Sequence, residues 1–357
     1  MNTQMKIYLK AWLEKNLGDD LFVKIISDRY SDRFISITQT DYSGLKNNYP
    51  NIKFIKNNII LDKLIKLFSL KKKTLEHIIS SRCDIVVYLG GSMFMEPKNS
   101  KFSLYKFKKN YYILGSNFGP YHSNRFYELY FNLFKNAKDV CFRDSFSYNL
   151  YKSLKNVRMA PDIVFSLNTH NINITQKNKV IISVVNPSNK TGKQYYKDYK
   201  EFINKLIYYF ISQKFNITLM SFCKKEGDEY IIEDIISKLK IPNKEKKINT
   251  YFYSGNITEA LNVIGSAKII IGSRFHANIL GLAMKKIIIP IAYSDKTINV
   301  LSDLGFKGKI YDIRKKEDMN FDNFDTASLN YKMDISDIKH SAEEHFKALD
   351  KILSRKV

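Results

Sequence analysis

Along this chain, short β-branched runs alternate with segments whose apolar residues recur at helical spacing. The clearest instance lies at residues 268–297. Ile269, Ile270 and Ile271 form an apolar run stopped by Gly272, Ser273-Arg274-Phe275-His276 follows, and Ile279, Leu280, Leu282, Ala283 and Met284 then cluster at helical spacing. After Lys285-Lys286 a second β-branched run, Ile287 to Ile291, ends in Ser294-Asp295-Lys296. The pattern predicts a strand, a tight turn, a helix and a second strand, which is a βαβ unit. In open α/β sheets, ligands sit beyond the carboxyl ends of strands, where helix N-termini turn unpaired N–H groups outward and favour anions. Arg274 and His276 fall at that point. The first brings a fixed charge and a fork of donors; the second is a side chain type that titrates near neutral pH.

The same alternation runs through the rest of the sequence. In the first half, strands are predicted at residues 5–9, 34–38, 52–55, 85–88, 111–114 and 140–142. Helices are predicted around Leu21, Phe22, Ile25 and Ile26 and over 59–81, 124–136 and 146–154. In the second half, strands at 180–185, 217–222, 250–253 and 310–312 join the two already described, with helices at 195–213, 229–239, 258–265 and 295–304. Residues 168–178 are polar and aperiodic, as a linker is. A final helix is predicted with Ile335, Ile338, Ala342, Phe346, Leu349 and Leu353 on one face, packing back on the domains. Strand–helix alternation argues for parallel sheets covered on both faces. The expected architecture is α/β: two Rossmann-like, doubly wound domains facing each other across a cleft. Residues 1–168 form the first and 179–330 the second, with a linker over 169–178 and the C-terminal helix over 331–357.

Composition narrows the class. A chain of 357 residues, 44% of them hydrophobic, buries enough for two globular domains. No run approaches the roughly 20 apolar residues of a membrane span. The opening MNTQMKIYLKAWLEKN lacks the order of charge, apolar centre and small-residue cleavage site of a signal peptide, reads as a first strand, and leads us to expect a cytoplasmic protein. Cys83, Cys141 and Cys223 are far apart, so buried thiols are expected in place of a disulfide framework or a zinc site. The net charge of +23 implies attraction to something anionic: nucleic acid, an acidic leaflet or a phosphorylated substrate. The lysines are scattered, with short clusters at 71–73 and 244–247 and no basic arm or nucleic-acid motif, so no nucleic-acid partner is expected. A solvated, lysine-rich surface accounts for the charge equally well.

No P-loop, dinucleotide fingerprint, nucleophile elbow or zinc-spaced histidine pair occurs. The residues left to carry chemistry lie in strand-end turns: Asn16 to Asp20, with Gly18 and Asp19; Gly90-Gly91-Ser92; Gly115 to Pro120, with Asn117; Arg143-Asp144-Ser145; Ser273 to His276; and Ser294-Asp295-Lys296. Glycine turns serve geometry in every α/β fold, and a single histidine is commonly structural. The pairing of Arg274 with His276 at a helix start raises that turn above the others. Plainer readings stand beside the rest. Arg143 can pair with Asp144 or another carboxylate, His122 can cap a carbonyl, Lys296 can be a surface lysine, and Asp295 can cap the helix after it.

Taken in order and spacing, these turns resemble the polysaccharide pyruvyl transferase family. The matching pieces are Asn16-Leu17-Gly18-Asp19, Gly90-Gly91, Gly115-Ser116-Asn117-Phe118-Gly119-Pro120, Arg143-Asp144-Ser145 and Ala160-Pro161-Asp162. Foremost are Gly272-Ser273-Arg274-Phe275-His276-Ala277 and Ala292-Tyr293-Ser294-Asp295-Lys296-Thr297. The likeness covers roughly residues 5 to 305. It implies a glycosyltransferase-B-like pair of Rossmann-type domains. It also implies transfer of pyruvate from phosphoenolpyruvate onto a sugar diol as a cyclic ketal, with no cofactor or metal beyond that donor substrate. The family's arginine and histidine carry over onto Arg274 and His276, and its upstream arginine onto Arg143.

On that resemblance His276 and Arg274 are the expected catalytic residues. Arg143, Phe275, Ser273, Asn16, Gly18, Asp19, Gly91, Ser92, Asn117, His122, Ser294 and Lys296 are expected to bind substrate. Phosphoenolpyruvate carries a carboxylate and a phosphate, which Arg143, Arg274 and the helix start after Phe275 would anchor while His276 protonates the methylene carbon. The implied acceptor is a cell-surface polysaccharide or its lipid-linked precursor, and scattered lysines would draw the enzyme to an anionic inner leaflet. Three rival readings come from other classes: a glycosyltransferase using a nucleotide sugar, a basic nucleic-acid-binding protein with steep salt dependence, and a catalytically dead binding module.

Overall fold

The computed structural model describes residues 5–58, 60, 63, 65, 67, 74–97, 110–174 and 178–356. The chain divides into two compact units, residues 1–14, 19–166 and 340–357 in one, and residues 15–18 and 167–339 in the other.

Among the described residues, the first unit contains β1 (Lys6–Ala11), β2 (Arg33–Thr38), β3 (Ile52–Lys56), β4 (Ile85–Leu89), β5 (Asn110–Ser116), β6 (Asp139–Phe142) and β7 (Val157–Met159). They form one parallel sheet in the order β3-β2-β1-β4-β5-β6-β7. The second unit contains β8 (Lys179–Ser183), β9 (Asn216–Ser221), β10 (Ile248–Phe252), β11 (Ile269–Gly272), β12 (Ile287–Ala292) and β13 (Tyr311–Asp312). These are again parallel, in the order β10-β9-β8-β11-β12-β13. Parallel strands need crossovers that lay helices on the sheet faces, so central strands are buried on both sides. Every residue of β4, β6, β11 and β12 is buried, which is why β4, β11 and β12 read as unbroken apolar runs. Each sheet reverses its winding once, between β1 and β4 in the first unit and between β8 and β11 in the second. Such reversals open a crevice at the carboxyl ends of the strands.

The two cores differ in character. In the second unit Val180, Ile182, Ile217, Leu219, Ile269, Ile271, Ile287 and Ile289 pack with Phe202, Leu206 and Phe210 of the helix Tyr196–Ser212. In the first, aromatic rings dominate: Phe118, Phe126, Phe134, Phe142 and Tyr151 interlock edge to face and face to face. Cys83, Cys141 and Cys223 are all buried free thiols. Among the described residues no helix is long and apolar enough to cross a membrane.

Three details differ from the sequence reading. β7 was not expected; its three residues hold an arginine in the middle, and Arg158 turns to Asp139 at 2.7 Å. Of the helix expected over 59–81, the described element is Leu75–Ser81; most of the rest, and the lysine cluster at 71–73, lie outside the described residues. The C-terminal helix expected over 331–357 is Ser336–Ala342 followed by 3-10 turns Glu343–Phe346 and Leu349–Lys351. Ile335, Ala342, Phe346, Leu349 and Leu353 are indeed buried. The polar groups between them, however, have fixed partners in the first unit. Arg29 donates to Asp350 at 2.9 and 2.6 Å and to Glu343 at 2.6 Å, and His345 Nε2 lies 2.7 Å from the Pro161 carbonyl oxygen. A straight helix would not bring all of these side chains to one wall.

Candidate active site

In the second unit β11 ends at Gly272, and the chain turns sharply into the helix Phe275–Ala283. The turn is pinned from within. Asn278 Nδ2 donates to the Gly272 carbonyl oxygen at 2.9 Å, and a Cβ on Gly272 would sit 2.1 Å from Asn278 Oδ1. The neighbouring strand holds the next residues: Ser273 N donates to Ser183 O at 3.0 Å and Arg274 N to Ser183 Oγ at 3.2 Å. Ser273 Oγ is 2.8 Å from the hydroxyl of buried Tyr199. Ser273 is thus a buried brace of the turn.

Arg274 is the N-cap residue of this helix, and its side chain makes no capping bond. Its guanidinium is turned inward. Nε donates to Asp228 Oδ2 at 2.9 Å, Nη2 to Asp228 Oδ1, and Nη1 to Glu226 Oε2. Asp228 is wholly buried and also accepts from the backbone N–H of Phe222 and Cys223, at 2.9 and 3.0 Å. Burial pushes the Asp228 carboxyl up against the pull of Arg274; Arg274, gripped by two carboxylates, is held far on the charged side in spite of its own burial. Glu226 is shared: Lys190 Nζ lies 2.6 Å from the same oxygen. Burial raises the Glu226 pKa, but Arg274 and Lys190 outweigh it and bring the carboxyl down to about 2. The cluster therefore alternates in sign, Asp228, Arg274, Glu226, Lys190, and contains no net charge.

His276 occupies the first turn of the same helix, partly exposed. Its ring lies on the Gly18 backbone so closely that a Cβ there would be 1.8 Å from Nδ1. Residues 15–18 belong to this unit: Leu17 N donates to Phe222 O at 3.1 Å, and Asn16 Oδ1 accepts from Gly18 N at 3.2 Å. The imidazole also meets Phe275 edge to face, with centroids 5.0 Å apart. Phe275 in turn has Lys296 Nζ over its ring, 4.9 Å from the centroid. Ser294 is the N-cap of the helix Asp295–Asp303, and its side chain makes no capping bond. Two helix starts whose N-cap side chains make no capping bond, beyond adjacent strands β11 and β12, thus share one edge with Arg274, His276 and Lys296. Asn16, Gly18, Ser273, Phe275 and Ser294 surround the same place.

The remaining expected site residues belong to the first unit. Arg143 follows β6 and is completely buried, where Nη1 donates to Asp162 Oδ2 at 2.8 Å and Nη2 to Asn117 Oδ1 at 2.7 Å. A Cβ on Gly91 would meet Nη2 at 2.2 Å. Arg143 is thus a brace beneath the Gly91 turn and pairs with Asp162, and Asp144 caps the helix Ser145–Tyr151 by accepting from Ser147 N. Asn117 N closes the same knot on Gly91 O at 2.8 Å, while Ser92 is partly exposed beside it. Asp19 stands in the first turn of the helix Leu17–Arg29. The His122 side chain is exposed, and its backbone N–H donates to Glu96 Oε2.

The sequence reading did not single out Lys190, Glu226 and Asp228. Lys190 ends the short helix Pro187–Lys190, Glu226 lies in the turn Lys224–Glu226 and Asp228 opens the helix Asp228–Lys238, so only their folded proximity to Arg274 reveals them. Among the described residues no group of three or more His, Cys, Asp or Glu side chains is arranged to hold a metal ion.

Comparison with known proteins agrees with this organisation. A family model described as polysaccharide pyruvyl transferase matches residues 16–295. No curated protein sequence matches the chain. Similar solved structures include UDP-GlcNAc 2-epimerase of Methanocaldococcus jannaschii in complex with UDP-GlcNAc and UDP, with TM-score 0.59 and 13% identity, covering 97% of this chain and 99% of that one. MnaA of S. aureus with UDP gives TM-score 0.57 and 10% identity over 97% and 95% of the two chains. HepE of Anabaena with UDP and glucose gives 0.53 and 11% over 96% and 95%. At such identities these likenesses show the fold, a pair of Rossmann-like α/β domains of the GT-B class.

Proposed function

The chain belongs to the polysaccharide pyruvyl transferase family, and on that premise we propose that it moves the pyruvate unit of phosphoenolpyruvate onto a sugar diol of a polysaccharide or its lipid-linked precursor, as a cyclic ketal. The observation that carries this reading is His276 in the first turn of a helix whose N-cap side chain makes no capping bond, beside Arg274 and Lys296. A doubly anionic donor needs two seats. The N–H groups opening the helices Phe275–Ala283 and Asp295–Asp303, with Lys296, suit the phosphate. Arg274 Nη1 and Lys190, which meet on Glu226, suit the carboxylate once Glu226 yields it.

His276 then gives a proton to the methylene carbon, and positive charge develops at C2. One sugar hydroxyl adds to C2 and a second closes the ring as the bond from C2 to the phosphate oxygen breaks; of the two hydroxyl protons, one leaves on hydrogen phosphate and the other restores His276. One diol and one phosphoenolpyruvate become one ketal and one hydrogen phosphate. General acid catalysis of this kind contributes about two to four powers of ten. The Gly18 backbone and the Phe275 ring both lie against the imidazole, which supports a positioned acid over a freely rotating one. Within the first unit, Arg143 holds the Gly91 turn.

The test is phosphate release from phosphoenolpyruvate in the presence of glycans bearing free diols. The reading expects release that depends on the glycan and leaves pyruvate bound to it. Nucleotide release from a sugar nucleotide, with phosphoenolpyruvate untouched, would establish the glycosyltransferase reading instead.

A further inference from the structure

We propose that the first unit seats the acceptor: a neutral sugar ring stacks on the indole of Trp12, and Gln39, Glu14 and Ser92 offer hydrogen bonds to its hydroxyls. The inference rests on the pyruvyl-transfer reading and says which residues hold the diol. Trp12 is the first residue past β1, it is the only tryptophan of the chain, and it is 56% exposed. It stands where the winding of the first sheet reverses, between β1 and β4, the position at which open α/β sheets take ligands.

The turn that carries Trp12 is braced. Thr38, the buried last residue of β2, donates through Oγ1 to the Leu13 carbonyl oxygen at 3.1 Å and accepts from the Thr40 N–H at 3.1 Å. Thr40 Oγ1 donates to Glu14 Oε2 at 2.7 Å. Leu13 is buried, so the residue before it is held at the surface. Gln39, next after Thr38, is exposed. On the other flank Ala11 pairs with Leu89. The next residues there are Gly90 and Gly91, which have no side chain to crowd a ring, and then partly exposed Ser92. An aromatic face bordered by amide, carboxylate and hydroxyl suits a pyranose. Its C–H groups pack on the electron-rich face while its hydroxyls need both donors and acceptors.

Charge selects the occupant. Residues 12–14, 39–42 and 90–96, which follow β1, β2 and β4, include Glu14, Asp41 and Glu96 and no lysine or arginine, in a protein of net charge +23. The donor seat in the second unit is the reverse, with Lys190, Arg274 and Lys296. A phosphate, a nucleotide or an anionic leaflet beside Trp12 would meet carboxylates with no cation in these turns to offset them. An uncharged diol meets only hydrogen-bonding groups. The chain then continues through Lys15 into the segment whose Gly18 lies under the His276 imidazole.

Because Trp12 is the sole tryptophan, tryptophan emission reports on this indole alone. The full chain is titrated with neutral galactan, glucan and mannan oligosaccharides in the absence of phosphoenolpyruvate, and the same glycans are tested for phosphate release. We expect the glycan that supports release to move the emission saturably to shorter wavelength and to shield it from acrylamide. Phosphoenolpyruvate alone and vesicles of anionic lipid should leave it unmoved. Trp12→Ala should raise KM for that glycan about tenfold or more, with KM for phosphoenolpyruvate within about twofold, and Trp12→Phe, which keeps an aromatic face, should recover most of the loss. Emission unmoved at saturating glycan, a glycan KM of Trp12→Ala within about twofold of wild type, or a response to phosphoenolpyruvate or vesicles in place of glycan overturns the assignment; glycan-dependent release by wild type then still upholds pyruvyl transfer. If no glycan supports release, the pyruvyl-transfer reading falls and the emission titration decides the sugar seat by itself: a saturating response to one of the oligosaccharides upholds it, and none overturns it.

Discussion

Glu226 and Arg274 are joined by an ion pair that Lys190 shares, its Nζ 2.6 Å from the same Glu226 oxygen. An internal carboxylate thus sits on the two cations that an anionic donor would use. Binding sets donor carboxylate against Glu226 carboxylate, and affinity reports the difference. With its pKa near 2, Glu226 is fully charged throughout the neutral range, so this competition does not vary there with pH.

Glu226→Gln removes the competing charge and keeps the shape. KM for phosphoenolpyruvate should fall about tenfold, equivalent to about 1.4 kcal/mol, with kcat within about twofold. Initial rates of phosphate release decide it. A KM that rises would mean that Glu226 holds Arg274 in place for the donor instead of competing with it.

Gly18→Ala places a methyl group where the His276 ring now lies, 1.8 Å from Nδ1. The imidazole must rotate away from its position on Phe275. Turnover should fall about a hundredfold, the order lost when a positioned group is displaced by about an ångström, with the melting temperature little changed. Activity and circular dichroism on one preparation check both halves.

Arg274→Lys cannot reproduce the two-pronged contact with Asp228, which is wholly buried. Breaking one side of a buried pair costs about 3–5 kcal/mol, so a clear drop in melting temperature should accompany lost activity. Asp228→Asn added to that variant should recover part of the stability and none of the activity, as seen by calorimetry and phosphate release.

His345 gives the first unit a pH dependence. Buried, with Nε2 2.7 Å from the Pro161 carbonyl oxygen, it has a pKa pushed down to about 3, chiefly by burial. The folded pKa is below the unfolded value of 6.5, so its contribution is whole above that value and is lost as pH falls through the window toward 3. The slope approaches about 1.4 kcal/mol per pH unit. Wild type should therefore lose stability on acidification more steeply than His345→Gln, measured by urea unfolding at a series of pH values.

Much of the fold was legible because parallel strands buried on both faces leave unbroken β-branched runs, as at Ile269 to Ile271 and Ile287 to Ile291. β7 was not, since Val157-Arg158-Met159 is three residues long and its arginine is satisfied by Asp139, distant in sequence. At the C-terminus the apolar spacing identified buried positions correctly, while Glu343, His345 and Asp350 bent the backbone into turns that periodicity does not encode. Arg274 and His276 were visible because a strand-to-helix turn is a local pattern. Their surroundings were not: Gly18 beneath the imidazole and Asp228 behind the guanidinium are tertiary facts. Arg143 shows the reverse, a motif residue whose guanidinium faces Asp162 and Asn117 in the interior.

The most direct measurement follows the C2 carbon itself. Phosphoenolpyruvate labelled there with carbon-13 is incubated with a diol-bearing glycan and wild-type or His276→Ala protein, and carbon NMR records where the label goes. The label should move into a ketal carbon on the glycan with wild type and stay in phosphoenolpyruvate with the variant over the same time. Equal ketal formation by both proteins, or a label that never leaves phosphoenolpyruvate with wild type, would contradict the assignment of this site to pyruvyl transfer by His276.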